Sequence, residues 1–224
     1  MGDLISLAKV RATRSELGTP QRSRTGRGPR VTFFFDLVSP WTYLAAERAE
    51  RLFASGRWRP AVGDAIAGGR HAPDPRDEGQ RAAAERRADE LRLPLVWPEG
   101  WPASGRGAMR VAALAAERGR AAPFVLAAGR LAFCGGYELD DPEVIAEAAA
   151  ASGLALDDAL AAAGQIRRDG PMERTALRLL RRGADELPVV TVGRELFAGE
   201  GRLAEAAAAA SAPAPLRRRA ARPG

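Results

Sequence analysis

The run Val31-Thr32-Phe33-Phe34-Phe35-Asp36-Leu37-Val38 constrains this chain more than any other segment. Its β-branched and aromatic residues are apolar at odd and even positions alike, the pattern of a central strand buried on both faces. Ser39-Pro40 then gives a helix start, a hydroxyl residue followed by proline at the first helical position. Apolar residues at 41, 44, 45, 49, 52 and 53 predict a helix from Trp41 to Ala54, which Gly56 stops. Arg57-Trp58-Arg59-Pro60-Ala61-Val62 predicts a second, shorter strand, with Pro60 marking an edge or a strand end. The result is β-α-β within about 32 residues, and a right-handed crossover makes the two strands parallel.

Residues 65–75 are rich in Gly, Pro and Asp and read as loop. Helical segments follow at about 76–92, 104–119, 121–128, 142–151 and 156–166, separated by Pro94, Pro98, Pro102, Gly119 and Gly153. Asp141-Pro142-Glu143 opens one of these helices and Ser152-Gly153 closes it. This Ala-rich stretch holds no strand beyond a short piece near Phe133. The chain then returns to mixed structure: a helix from Pro171 to Arg182, a strand Leu187 to Val192, the two-residue turn Gly193-Arg194, and an antiparallel partner Glu195 to Ala198. Gly199-Glu200-Gly201 leads into a last helix, Arg202 to Ala210.

Formal charge is +6 over 224 residues, but its distribution decides its meaning. Residues 1–30 carry a net +5 and the tail from Ser211 a net +4, which leaves residues 31–210 at about −3. The folded body is therefore not basic, and nucleic-acid binding is not expected. Both tails are rich in Arg, Gly, Pro and Ser without hydrophobic periodicity, so 1–30 and 211–224 are expected to be disordered basic extensions. No segment reaches the roughly 20 apolar residues of a membrane helix, and Met1 to Val10 lacks the pattern of a secretory signal. A cytoplasmic protein is the expectation. The single cysteine, Cys134, excludes an internal disulfide and a C-x-x-C redox pair. It sits in an apolar stretch and reads as a small buried side chain. The only histidine, His71, lies in a polar loop, and no metal site is expected. Gly199-x-Gly201-x-x-Ala204 formally fits a dinucleotide fingerprint, but it lacks the second strand and the downstream acid such a site needs.

The order β-α-β, helical insertion, α-β-β-α is that of an α/β thioredoxin-like fold with a large all-helical insertion. Residues 31–75 and 167–210 would form the discontinuous thioredoxin-like domain, and 76–166 the insertion. The words Phe33-Phe34-Phe35-Asp36-Leu37-Val38-Ser39-Pro40-Trp41-Thr42-Tyr43-Leu44 and Leu187-Pro188-Val189-Val190-Thr191-Val192 through Leu203 resemble the DsbA-like family. Within it they look most like 2-hydroxychromene-2-carboxylate isomerases and kappa-class glutathione transferases. Met109-Arg110 and Asp140-Asp141-Pro142-Glu143-Val144 add support.

The resemblance implies glutathione as cofactor, its thiolate held at the start of the first helix, where unpaired N–H groups and the helix dipole favour an anion. Ser39 matches the position at which redox relatives place cysteine, and its hydroxyl would donate to the cofactor sulfur. Pro40 and Trp41 adjoin it. Leu187-Pro188 matches the family's cis-proline, whose neighbouring backbone would pair with the cysteinyl part of glutathione. Glu200-Gly201 stands where the family usually has Ser-Asp or Gln-Asp to hold the γ-glutamyl group. Tyr43 and Ser104 would face a small aromatic or unsaturated substrate. Read without the resemblance, Ser39 is a helix N-cap, Pro188 a strand-initial proline, Trp41 and Tyr43 core aromatics, and Glu200 an acid favouring the last helix. The expected function is a glutathione-dependent isomerase or transferase, with a homodimer permitted. The alternatives are an enzyme using another low-molecular-weight thiol, or a catalytically silent binding protein. A dithiol oxidoreductase is set aside because Ser39-Pro40-Trp41-Thr42 holds no sulfur.

Overall fold

The structure, a computed structural model, describes residues 29–66, 78–101 and 105–212. Strand β1 (Val31–Phe35) leads into helix α1 (Pro40–Leu52), strand β2 (Arg57–Pro60) and a single turn of helix, α2 (Gly63–Ile66). Five helices follow: α3 (Glu78–Leu91), α4 (Arg106–Glu117), α5 (Ala121–Phe133), α6 (Pro142–Ser152) and α7 (Leu156–Ala163). A 3-10 turn (Ile166–Arg168) joins α7 to α8 (Asp169–Arg181), and the hairpin β3 (Val189–Val192) and β4 (Glu195–Ala198) comes next. A second 3-10 turn (Glu200–Arg202) opens α9 (Leu203–Ser211). The sheet order is β2-β1-β3-β4, with β1 parallel to β2 and antiparallel to β3, and β3 antiparallel to β4. This is the thioredoxin-like arrangement expected from the sequence.

The differences from expectation are local and each has a cause. β1 stops at Phe35, three residues early, because Asp36 folds its carboxylate back onto the N–H of Val38 at 3.1 Å and starts a turn. β2 ends at Pro60, which cannot donate to a ladder. The segment near Phe133 is helical, not a strand. Helix α5 runs through Gly129 to Phe133 because this last stretch buries Gly129, Ala132 and Phe133, outweighing the roughly 1 kcal/mol a helical glycine costs. Helix α7 ends at Ala163, capped at Gly164, and the expected continuation is the 3-10 turn instead. Helix α8 starts two residues early, with Pro171 accommodated in its first turn. The last helix is preceded by the 3-10 turn, so its α-helical part begins at Leu203. The loop expected at 65–75 contributes the end of α2 and otherwise lies outside the described residues, as do His71, Ser104 and most of both tails.

One apolar cluster joins the sheet to the insertion. Phe33 and Phe35 of β1 and Trp58 of β2 share it with Leu44 of α1, Val111 of α4, and Phe124 and Phe133 of α5, all nearly inaccessible. Phe33 and Trp58 have ring centroids 4.5 Å apart. A smaller cluster covers the other face of the sheet, where Ile66, Ala176, Leu179, Leu187 and Val189 pack with Phe34 beneath α8. β1 is thus buried on both sides, which accounts for its uninterrupted apolar composition.

Candidate active site

The C-terminal ends of the parallel pair β1 and β2 open at one end of the sheet, where ligands bind in open α/β sheets. The β1–α1 loop there, residues 36–39, is braced from several directions. Asp36 accepts from Val38 N–H and, at 2.7 Å, from Gly63 N–H at the start of α2, while its own N–H donates to the Thr42 hydroxyl. Leu37 N–H donates to Met109 Sδ of α4 at 3.3 Å. The Trp101 indole N–H donates to the carbonyl of Val38 at 3.1 Å. Gly105 lies so close to the loop that a Cβ there would come within 2.6 Å of Val38 Cγ2. Burial pushes the Asp36 carboxyl above its ordinary value, against the pull of its two N–H donors.

This bracing holds Ser39 at the N-cap of α1 with φ −83° and ψ 121°. Its carbonyl accepts from the N–H groups of Thr42 and Tyr43, but its side chain makes no capping bond. The half-buried hydroxyl therefore stays uncommitted to the helix, at the positive end of its dipole. Pro40 occupies the first helical position, and Trp41 is half buried beside it. The Leu187–Pro188 peptide is cis. Phe34 pairs with Val189, so one further step in the same antiparallel register sets Pro188 opposite Phe35, at the sheet end from which Ser39 departs. The register thus puts Ser39-Pro40 and Leu187-Pro188 at the same end of the sheet.

Other predicted site residues are engaged elsewhere. Tyr43 is core: 3% exposed, stacked on Phe133 at 5.6 Å, its hydroxyl donating to the Pro94 carbonyl at 2.8 Å and lying 3.0 Å from Cys134 Sγ. Burial, reinforced by Cys134, raises its phenol so that it stays protonated. Cys134, half buried, pairs with that hydroxyl. Glu200 is 4% exposed, and its carboxylate is enclosed by two guanidiniums. Arg87 of α3 reaches it through Nε at 2.8 Å and Nη2 at 3.2 Å, and Arg48 of α1 forms a close ion pair. Arg48 lies nine residues beyond Ser39, roughly 13 Å down the helix. A γ-glutamyl ammonium at Glu200 would have to displace an arginine, so the carboxylate expected to anchor a cofactor is instead a tie between three elements. Burial lowers the Arg48 guanidinium against the raising effect of Glu200, and hydrogen bonding to Glu200 raises Arg87. Gly201 is exposed with open space around it.

Sequence reasoning missed Asp36, Trp101 and the role of Met109. Asp36 carried a signal, a lone acid closing an otherwise apolar strand. Trp97 and Trp101, each followed by proline, carried a weaker one. Their rings are 4.4 Å apart, and Arg81 of α3 lies 4.7 Å over Trp97, giving an aromatic wall next to the Ser39 loop. A cavity of about 800 Å³ lies elsewhere, and Ser39, Leu187, Pro188 and Glu200 do not line it. Among the described residues no group of three His, Cys, Asp or Glu could hold a metal ion, and no helix is long and apolar enough to cross a membrane.

No curated protein matches the sequence. Among solved structures, a 2-hydroxychromene-2-carboxylate isomerase is similar with a TM-score of 0.68 at 22% identity, over 80% of this chain and 93% of that one. A probable DsbA oxidoreductase from Streptomyces coelicolor is similar with a TM-score of 0.60 at 18% identity, over 81% of this chain and 88% of that one. At such identities the likeness speaks for the fold alone. The family model of the DSBA-like thioredoxin domain matches residues 30–210, the two halves of the sheet and everything between them. On that match the chain belongs to the DSBA-like thioredoxin domain family.

Proposed function

We propose that the protein is a thiol-dependent isomerase or transferase acting on a small unsaturated or aromatic substrate, with glutathione or another low-molecular-weight thiol as cofactor. The observation that carries this reading is the Ser39 hydroxyl, half buried at the N-terminus of α1, at the same end of the sheet as the cis Leu187–Pro188 peptide and free of any capping bond. A hydroxyl in that setting fits a sulfur anion. It can donate without giving up an intramolecular bond, and the helix dipole adds favourable potential. The thiol, when bound, supplies a nucleophilic sulfur able to add reversibly to an activated double bond.

The chain's own contributions follow from the loop. Ser39 and the N-terminus of α1 favour the ionised sulfur, the Asp36, Met109 and Trp101 contacts hold Ser39 in place, and the half-buried Trp41 and Trp101 offer flat apolar surface to an unsaturated substrate. The engagement of Glu200 by Arg48 and Arg87 favours a thiol recognised mainly around its sulfur. It is also the observation behind the second reading, a thioredoxin-like binding protein that has lost the γ-glutamyl anchor.

The test is a titration of the protein with reduced glutathione and with other small thiols, followed by tryptophan fluorescence and thermal shift, together with the ultraviolet absorbance of the bound thiolate. Wild type is expected to bind at least one thiol saturably and lower its pKa. Ser39→Ala is expected to raise that bound pKa by about one unit, the loss of one charge-assisted donor. Absence of saturable binding by any thiol would remove the enzyme reading and leave the binding protein.

A further inference from the structure

Four arginines from two elements converge on the cavity of about 800 Å³ that the Ser39 site does not use. It lies beside edge strand β2, between that strand, the C-terminal parts of α1 and α4, the start of α5, and α8 from Pro171 to Arg178. Along β2 the pattern alternates: Trp58 and Pro60 are buried, Arg57 and Arg59 exposed. Alternation puts both arginines on one face of the sheet. Arg59 pairs in register with Phe34, which packs into the smaller core beneath α8, so that face is the α8 face. Helix α8 supplies Arg174 and Arg178, four residues apart and hence on one side of the helix. All four line the cavity.

These guanidiniums contrast with the fold's carboxylate-paired arginines. Arg48, Arg87, Arg110 and Arg130 are each closed by a carboxylate. Among the described residues, Arg57, Arg59, Arg174 and Arg178 have no carboxylate partner, and Arg178 is held only by the Thr175 hydroxyl at 3.0 Å. Two acids also line the cavity. Glu117 is taken by Arg168 at 2.8 Å, which leaves Glu50 alone against four cations. Between the charges the lining is apolar, with Trp58, Ala113 and Met172 contributing. The volume falls within the roughly 300–1,000 Å³ of small-ligand sites.

We infer that this cavity binds a small organic anion with at least two acidic groups, carboxylate or phosphate, on an apolar body. Arginine forks match both oxyanion geometries bidentately, and the bound charge relieves the mutual repulsion of the four guanidiniums. The site is separate from Ser39 and does not depend on the thiol reading.

The probe is bis-anilinonaphthalene sulfonate, a dianion on an apolar body whose fluorescence rises on binding, titrated into the full chain at constant ionic strength and competed with citrate and with pyrophosphate. One saturable site is expected. It should weaken about tenfold in the pair Arg59→Gln with Arg174→Gln, and similarly in Arg57→Gln with Arg178→Gln should the first pair fail to fold. It should be unchanged by Arg86→Gln on α3 and by Ser39→Ala. Stronger competition by citrate identifies a carboxylate ligand, and by pyrophosphate a phosphate one. Non-saturable binding, binding that both arginine pairs retain, or failure of both competitors to displace the probe would each overturn the inference.

Discussion

Single residues decide how much of the expected cofactor site exists, and Glu200 is the sharpest case. Its carboxylate is buried, whereas Arg48 and Arg87 keep about a quarter of their side chains exposed. Removing one partner of a buried ion pair costs about 3–5 kcal/mol, and the partial solvation of the arginines reduces that here. Glu200→Gln is therefore expected to destabilise the fold by about 2 kcal/mol in urea denaturation while leaving thiol affinity at the Ser39 site unaltered. A parallel loss of thiol binding, with stability kept, would return Glu200 to the cofactor. Arg48 sharpens the expectation, since its Nε is buried without a hydrogen-bond partner among the described residues and its charge rests on Glu200 alone. Asp36 was recognisable in the sequence only as an anomaly, an acid at the end of an apolar strand. Its partner Gly63, 27 positions away, was not, because nothing local to either residue names the other.

Elements meet through a few fixed contacts, and one of them joins α4 to the start of α8. Arg110 forks onto both carboxylate oxygens of Asp169 at 2.8 Å and also holds the carbonyl of Ala163 at the end of α7. Hydrogen bonding to Arg110 draws the Asp169 carboxyl below its ordinary 3.8. A carboxylate whose folded pKa is depressed stabilises the fold above its unfolded value, and that contribution disappears as pH falls through the depressed one. Wild type is expected to exceed Asp169→Asn by about 1–2 kcal/mol near neutral pH, with the gap closing at acid pH below about 4. Urea titrations of both proteins across that range measure it, and a gap that persists in acid would place the effect in packing. The same scale explains why the segment near Phe133, expected as a short strand, is helical: Gly129 packs against the ring of Tyr43, and the helix continues because its next turn is buried.

Across the whole molecule, the sheet and the inserted helices share their larger core. Phe124 of α5 is fully buried in the cluster that contains Phe33 and Phe35 of β1. Phe124→Ala is expected to cost about 3–5 kcal/mol. Unfolding should remain a single transition, with far-ultraviolet dichroism and tryptophan fluorescence changing together. Two separated transitions would mean that the insertion holds itself together independently. The two halves of the sheet, although separated by more than a hundred residues, carry the family's wording and were readable as one fold. The shared core was not readable, because an apolar face on a helix shows that it is buried without showing against what.

The sequence by itself determined the parts whose causes lie within one element: the doubly apolar β1, the Ser39-Pro40 start of α1, the Gly193-Arg194 hairpin, and the Asp141-Pro142 start and Gly153 end of α6, where Asp141 caps through Glu143 N–H. Periodicity, proline and capping act over a turn or two, so they can be read from the string. Tertiary structure alone decided that Tyr43 ends beneath Pro94 and Cys134, that Glu200 answers Arg48 and Arg87, and that Arg57 and Arg59 face Arg174 and Arg178 across a cavity. Those pairings depend on how helices 50 to 150 residues apart pack against a shared sheet. No local preference specifies a partner at that distance.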